Sequence, residues 1–170
     1  EISVTSQIVL ADTIGRIAMI IAALSALQSW IMTLQSACGH NNMSDFEIKN
    51  AAQAAAQRSI DTVRAKDKEG WVANFADDAC IEDPVGKSPL DQTGNGHRGK
   101  AAISAFWDMC IAPGNVDFKI RESYPVSDVA VANVGSILNT MGDTKIEAKG
   151  VFIYHVNAEG KVTNLRAYWD

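Results

Sequence analysis

Residues 116–169, VDFKIRESYPVSDVAVANVGSILNTMGDTKIEAKGVFIYHVNAEGKVTNLRAYW, decide the fold. Four apolar-rich runs, 116–126, 128–141, 144–157 and 161–169, follow one another with only Ser127, Gly-Asp and Ala-Glu-Gly between them. Links that short and turn-like join antiparallel neighbours. Upstream the pattern is helical. FEIKNAAQAAAQRSIDTVRAKD, 46–67, is Ala-rich. It places Ile48, Ala52, Ala55, Ala56, Ile60 and Val63 on one face, with Ser44 and Asp45 as start signals. KEGWVANFADD, 68–78, predicts a short second helix burying Trp71, Val72 and Phe75. KAAISAFWDMCIA, 100–112, predicts a third, burying Ile103, Phe106, Trp107 and Cys110. Between them lie the strand ACIED, 79–83, and a long polar turn, 84–99. Helices first and strands after read as α+β: three helices packed on a curved antiparallel or mixed sheet. Such a sheet makes a cone with an apolar mouth, a natural small-molecule site.

The chain has 170 residues, enough for one domain with a real core. Its net charge is −5. That argues against nucleic acid as a partner, because phosphate binding needs a concentrated basic face. The cysteines Cys38, Cys80 and Cys110 are odd in number and lack Cys-x-x-Cys spacing, so they make neither a disulfide framework nor a zinc site. His40, His97 and His155 are scattered without metal-ligand spacing. A reducing, cytoplasmic setting fits the main domain, and no metal is expected.

Residues 1–42 differ from the rest. From Ile17 to Leu34 no charged side chain occurs. Three readings stand: an extension upstream of an initiator at Met43, a targeting segment, or an additional packed helix. A membrane enters only under the second. The working domain is placed at 43–170.

In CIEDPVGK, 80–87, Asp83 ends an apolar strand-like run and precedes Pro84. Proline biases Asp83 toward extended or turn backbone. In an extended chain it points where Ile81 points. If that is inward, burial raises its pKa, as for a paired core carboxylate or a poised base. GNGHRGK, 94–100, matches Gly-x-Gly-x-x-Gly by letter but lies outside any βαβ unit. It reads as a loop leading into a helix, where Arg98 and Lys100 could attract an anionic ligand group. On 151–156, Phe152, Tyr154 and Val156 share a face, and His155 takes the other.

FADDACIEDPVGKSP, HRGKAAISAFW and VNAEGKVTNLRAYW together resemble the ketosteroid isomerase family, in the nuclear transport factor 2-like and SnoaL-like superfamily. The resemblance spans roughly 45–170. It implies the cone-shaped nuclear transport factor 2-like fold and an isomerase that moves a proton beside a ketone, with Asp83 as general base. It implies no cofactor, a steroid or similar apolar ligand, and a homodimer. The family's oxyanion donors, a tyrosine and a protonated aspartic acid, fall at Ser59 and Phe152, so neither carries over. Tyr154, Trp107, Trp169 and Phe75 are the remaining pocket candidates, with one of Tyr168 and Trp169 inward. A Trp N–H or the Tyr154 hydroxyl could serve a ketone oxygen. The loop after EDPVG is longer than in the best-known members, so the pocket rim should differ. The alternatives are a steroid-binding module without turnover and another SnoaL-like reaction, a cyclase or dehydratase. The dehydratase branch needs a pocket histidine, and none has an obvious inward position.

Overall fold

The computed structural model describes residues 46–169; the expectations for residues 1–42 lie outside them. Helix α1 spans Ala51–Arg64 and buries Ala52, Ala55, Ala56, Ile60 and Val63, as the periodicity predicts. It begins later than expected. Asn50 is the cap: its Oδ1 accepts from Gln53 N at 2.8 Å, and its Nδ2 donates to the carbonyls of Ser127 and Ala130 at 2.6 and 2.9 Å. A cap that also ties down a distant strand turn outcompetes a purely local start signal. Ile48 therefore precedes the helix and is exposed, a correction to its place on the buried face.

Helix α2, Lys68–Ala73, is shorter than predicted. Asn74 stops it. This buried residue donates through Nδ2 to Ala55 O at 2.9 Å and accepts at Oδ1 from Arg58 Nε at 3.0 Å. Its backbone carbonyl takes the N–H of Val162. Phe75 thus opens strand β1, Phe75–Glu82, and FADD is strand rather than helix. Val72 is only half-buried. Strand β2 is His97–Arg98, and helix α3, Gly99–Phe106, continues into a π-helical turn over Trp107–Ile111.

Strands β3 (Asn115–Ser127), β4 (Ala130–Met141), β5 (Thr144–Val156) and β6 (Val162–Trp169) form the expected meander. The six strands run in the order β2-β1-β6-β5-β4-β3. β1 pairs parallel with β6 and every other neighbour is antiparallel, so the sheet is mixed. The β1–β6 pairing places Glu82 beside Arg166, whose Nε and Nη2 donate to the carboxylate at 2.7 and 3.2 Å. Two glycines face each other across β4 and β5, Gly135 and Gly150. A Cβ on Gly150 would collide with the Tyr168 carbonyl oxygen of β6; one on Gly135 would collide with that of Lys119 on β3. Backbones approach closely along this row, which is what glycine inside a strand permits. The helices pack on the sheet, α1 against β3, β4 and β5, and α3 against β1. No helix among the described residues is long and apolar enough to cross a membrane.

Candidate active site

The packing leaves a cavity of about 230 Å³. Its wall is mainly hydrocarbon, with Ile60, Val63, Phe118 and Ile120 prominent, and is broken by the polar side chains of Ser59, Asp83, Asn133, Asn139 and Tyr154. Asp83 follows the last residue of β1. Ile81, two positions back, is fully buried, and Asp83 lines the cavity, as strand alternation requires. The Asp83–Pro84 peptide is cis. Cys80 turns the other way, toward the Asn95 carbonyl, 3.6 Å from its Sγ.

Asp83 Oδ1 accepts from Trp169 Nε1 at 2.5 Å. Of the two terminal aromatics, Trp169 is the inward one, and Tyr168 is exposed. Burial pushes the Asp83 carboxyl above its ordinary 3.8, while the Trp169 N–H and the charge of His97 oppose the rise. The result is a carboxylate both oriented and strengthened as a base. Because the indole favours the ionised form, Trp169→Phe is expected to raise the Asp83 pKa further. In the isomerisation assay described below, the acid limb of the kcat/KM–pH profile should move to higher pH. An unmoved limb would show that this hydrogen bond does not tune the base.

Ser59, on α1, accepts at Oγ from Trp71 Nε1 at 2.9 Å and, at a long 3.5 Å, from the Tyr154 hydroxyl. Burial pushes that hydroxyl up to about 12; Ser59 pulls it down and the Asp83 charge adds to the rise. Tyr154 therefore remains a neutral donor across the working pH range. Ser59→Ala strips the buried Trp71 N–H of its acceptor, which costs roughly 1–3 kcal/mol. Urea unfolding should show a lower midpoint with an unchanged slope.

Phe152 lines the cavity two residues before Tyr154 on β5, and His155 is exposed on the opposite face, as predicted. Asp83, Ser59, Phe152, Tyr154 and Trp169 all line the cavity. Phe75 and Trp107 do not. They pack around Trp71 in the core, with ring centroids 4.8 and 5.4 Å from it. The π-helical turn that begins at Trp107 instead contributes Met109, Cys110 and Ile111 to the cavity. Burial pushes the Cys110 thiol up to about 11, so it acts there as a small apolar group.

Three features escape sequence reasoning. His97 is turned inward: it pairs with Ile81 across β1 and β2, its ring lies 5.0 Å from Phe106, and its Nε2 is buried without a partner. It packs against Phe106 without lining the cavity, so no pocket histidine appears among the described residues. Asn133 lines the cavity from β4 and is 1% exposed. Its signal was present: in AVANVGSIL it alternates in step with Val131 and Ile137, a polar residue at an inward position. Leu90 enters the cavity from the loop after Pro84. Asp91 ties that loop, accepting from Thr93 N, Thr93 Oγ1 and Gly96 N at 2.9, 2.7 and 2.7 Å. Those bonds, the Thr93 side chain first, hold the Asp91 carboxyl down at about 2. Ser88 Oγ accepts from Leu90 N and Asp91 N.

Two of the three Lys100 N–H donors are taken by backbone. Its Nζ donates to the carbonyls of Val72 and Phe75 at 2.8 and 2.5 Å, a correction to the ligand role considered for it. Among the described residues, no three His, Cys, Asp or Glu side chains are grouped to hold a metal ion.

The SnoaL-like domain family matches residues 56–165. A steroid Delta-isomerase from Nocardioides simplex is 27% identical over 117 residues, 69% of this chain and 88% of that protein. Among solved structures, RV0760c from Mycobacterium tuberculosis is 39% identical over 74% of this chain and 95% of its own, with a TM-score of 0.70. That protein has also been solved in complex with estradiol-17beta-hemisuccinate. A Delta 5-3-ketosteroid isomerase from Mycobacterium sp. is 36% identical over 72% of this chain and 95% of its own, with a TM-score of 0.69. The family match and these structural relatives agree, and the chain belongs to the SnoaL-like domain family, within the nuclear transport factor 2-like superfamily that includes the ketosteroid isomerases.

Proposed function

We propose that this domain shifts a proton beside the ketone of a steroid or similar apolar ligand. The observation that carries the reading is the Asp83 carboxylate, held by the Trp169 indole on the wall of an apolar cavity. Asp83 removes a proton from the carbon next to the carbonyl, breaking that C–H bond. It holds the proton while the electron pair is delocalised as a dienolate, and returns it two carbons away. The Tyr154 hydroxyl, neutral and facing the same cavity, serves the developing oxyanion. The steroid names of the relatives support the ligand class. A homodimer through the outer sheet face, where Tyr124 and Tyr168 are exposed, belongs to the same proposal.

The test uses a β,γ-unsaturated 3-ketosteroid. Growth of the conjugated-enone absorbance is followed in parallel with binding of the product. Turnover supports the reading. Binding without turnover favours a pure binding module, for which the apolar Phe152 already argues. Absence of both removes the steroid reading. A second reading, acid–base catalysis of dehydration or cyclisation by Asp83 with His97, is favoured by one observation. His97 pairs with Ile81, two residues before Asp83, and its Nε2 is buried without a partner.

A further inference from the structure

We propose that Asn133 is a ligand-binding residue whose side-chain amide hydrogen-bonds the carbonyl or hydroxyl oxygen of an otherwise apolar molecule in the cavity. It rests on the apolar-ligand part of the proposed function and is independent of proton transfer.

Asn133 sits mid-strand on β4, 1% exposed, and lines the cavity. Its Oδ1 has no hydrogen-bond partner. Buried amide oxygens are almost always paired, and one left unpaired in hydrocarbon opposes folding. The other polar groups of the wall are differently placed. Asp83 has the Trp169 N–H and Ser59 has the Trp71 N–H; Asn139 also has an unpaired Oδ1, but it is only half-buried and is anchored through Nδ2 to Cys110 O at 2.8 Å. Asn133 alone combines full burial, a place on the wall and an unused acceptor among the described residues.

Position adds to this. Asn133 lies directly across from Phe152, and Tyr154 is the next inward residue on β5. Directly opposed and diagonal cross-strand side chains reach one another's neighbourhood. An oxygen lodged over Phe152 is therefore within the span of both the Asn133 amide and the Tyr154 hydroxyl. An amide presents Nδ2 to a carbonyl or, by a half-turn, Oδ1 to a hydroxyl, so it recognises either oxygen and rejects plain hydrocarbon. Leu at this position would fill the same space without that selectivity.

The test compares equilibrium binding of 5α-androstane, 5α-androstan-3-one and 5α-androstan-3β-ol to the full chain and to Asn133→Leu. The wild type should prefer an oxygenated probe over the hydrocarbon, and the substitution should cut that preference roughly tenfold. The infrared carbonyl stretch of bound androstanone should rise in the variant as its hydrogen bond is lost. Asn133→Ala, which adds no bulk, should show the same loss of preference. Equal preference in wild type and variants overturns the role and leaves the ligand class standing. Failure of the wild type to bind any of the three probes overturns both. Without ligand, Asn133→Leu should melt at or above the wild-type temperature. A clear drop would mean that the fold itself uses the amide, and would also overturn the proposal.

Discussion

Asp83→Asn is expected to lower the isomerisation kcat by about 10²–10⁴, the range over which a positioned general base contributes. The amide keeps its oxygen for the Trp169 N–H, so steroid binding should persist. The same substitution should stabilise the protein. The folded carboxyl titrates above its ordinary 3.8 because burial disfavours the charge. Between 3.8 and the raised folded value the native state binds more protons than the unfolded chain, so stability falls as pH rises through that window. Below it, Asp83 is neutral in both states and the cost disappears. The melting temperature of Asp83→Asn should exceed that of the wild type at neutral pH, and the gap should close on acidification. A variant that retains turnover would move the base elsewhere. A variant that melts lower at neutral pH would show that the Trp169 hydrogen bond outweighs the burial cost.

Gly150→Ala is the second large effect. The added methyl meets backbone, the Tyr168 carbonyl oxygen and, at 3.0 Å, the Trp169 Cα, and backbone cannot rotate aside as a side chain can. Forced overpacking of this kind costs about 3 kcal/mol. Gly150 is also the cross-strand partner of Trp169, so the shift is transmitted to the indole that orients Asp83. Calorimetry should show a lower melting temperature, and the folded fraction should isomerise more slowly at saturating substrate. Wild-type stability in this variant would mean that β5 and β6 separate there without cost.

The strands of the meander, the buried face of α1 and the position of Asp83 could be read from the sequence because each depends on local periodicity. The errors fall where distant bonds decide. Asn50 starts α1 because it caps the helix and holds two carbonyls of the β3–β4 turn, 77 and 80 residues away. FADD has helix-tolerant composition, yet Asn74 ends α2 through bonds to α1 and β6. Trp107 looked like a pocket aromatic, but it packs on Trp71, and the π-helical turn brings Met109, Cys110 and Ile111 to the cavity instead. His97 faces inward because the loop folds back to pair it with Ile81, a two-residue strand that no pattern announces. Asn133 was legible in principle. Its inward phase follows from the alternation of β4, and its significance appears only once the wall around it is known to be apolar.

The loop that Ser88 and Asp91 knot together has an evolutionary consequence. Those bonds are internal to the loop, and Gly96 seats it where any Cβ would press on Cys80 Sγ and the Ile81 carbonyl. Its shape does not depend on what Leu90 touches. Selection can therefore exchange Leu90 for a larger, smaller or polar side chain and change which molecules pass the rim, while Asp83, Trp169 and Tyr154 stay in place. The range of molecules admitted and the polar groups of the cavity can evolve separately here, the first through one replaceable side chain on a self-supporting loop.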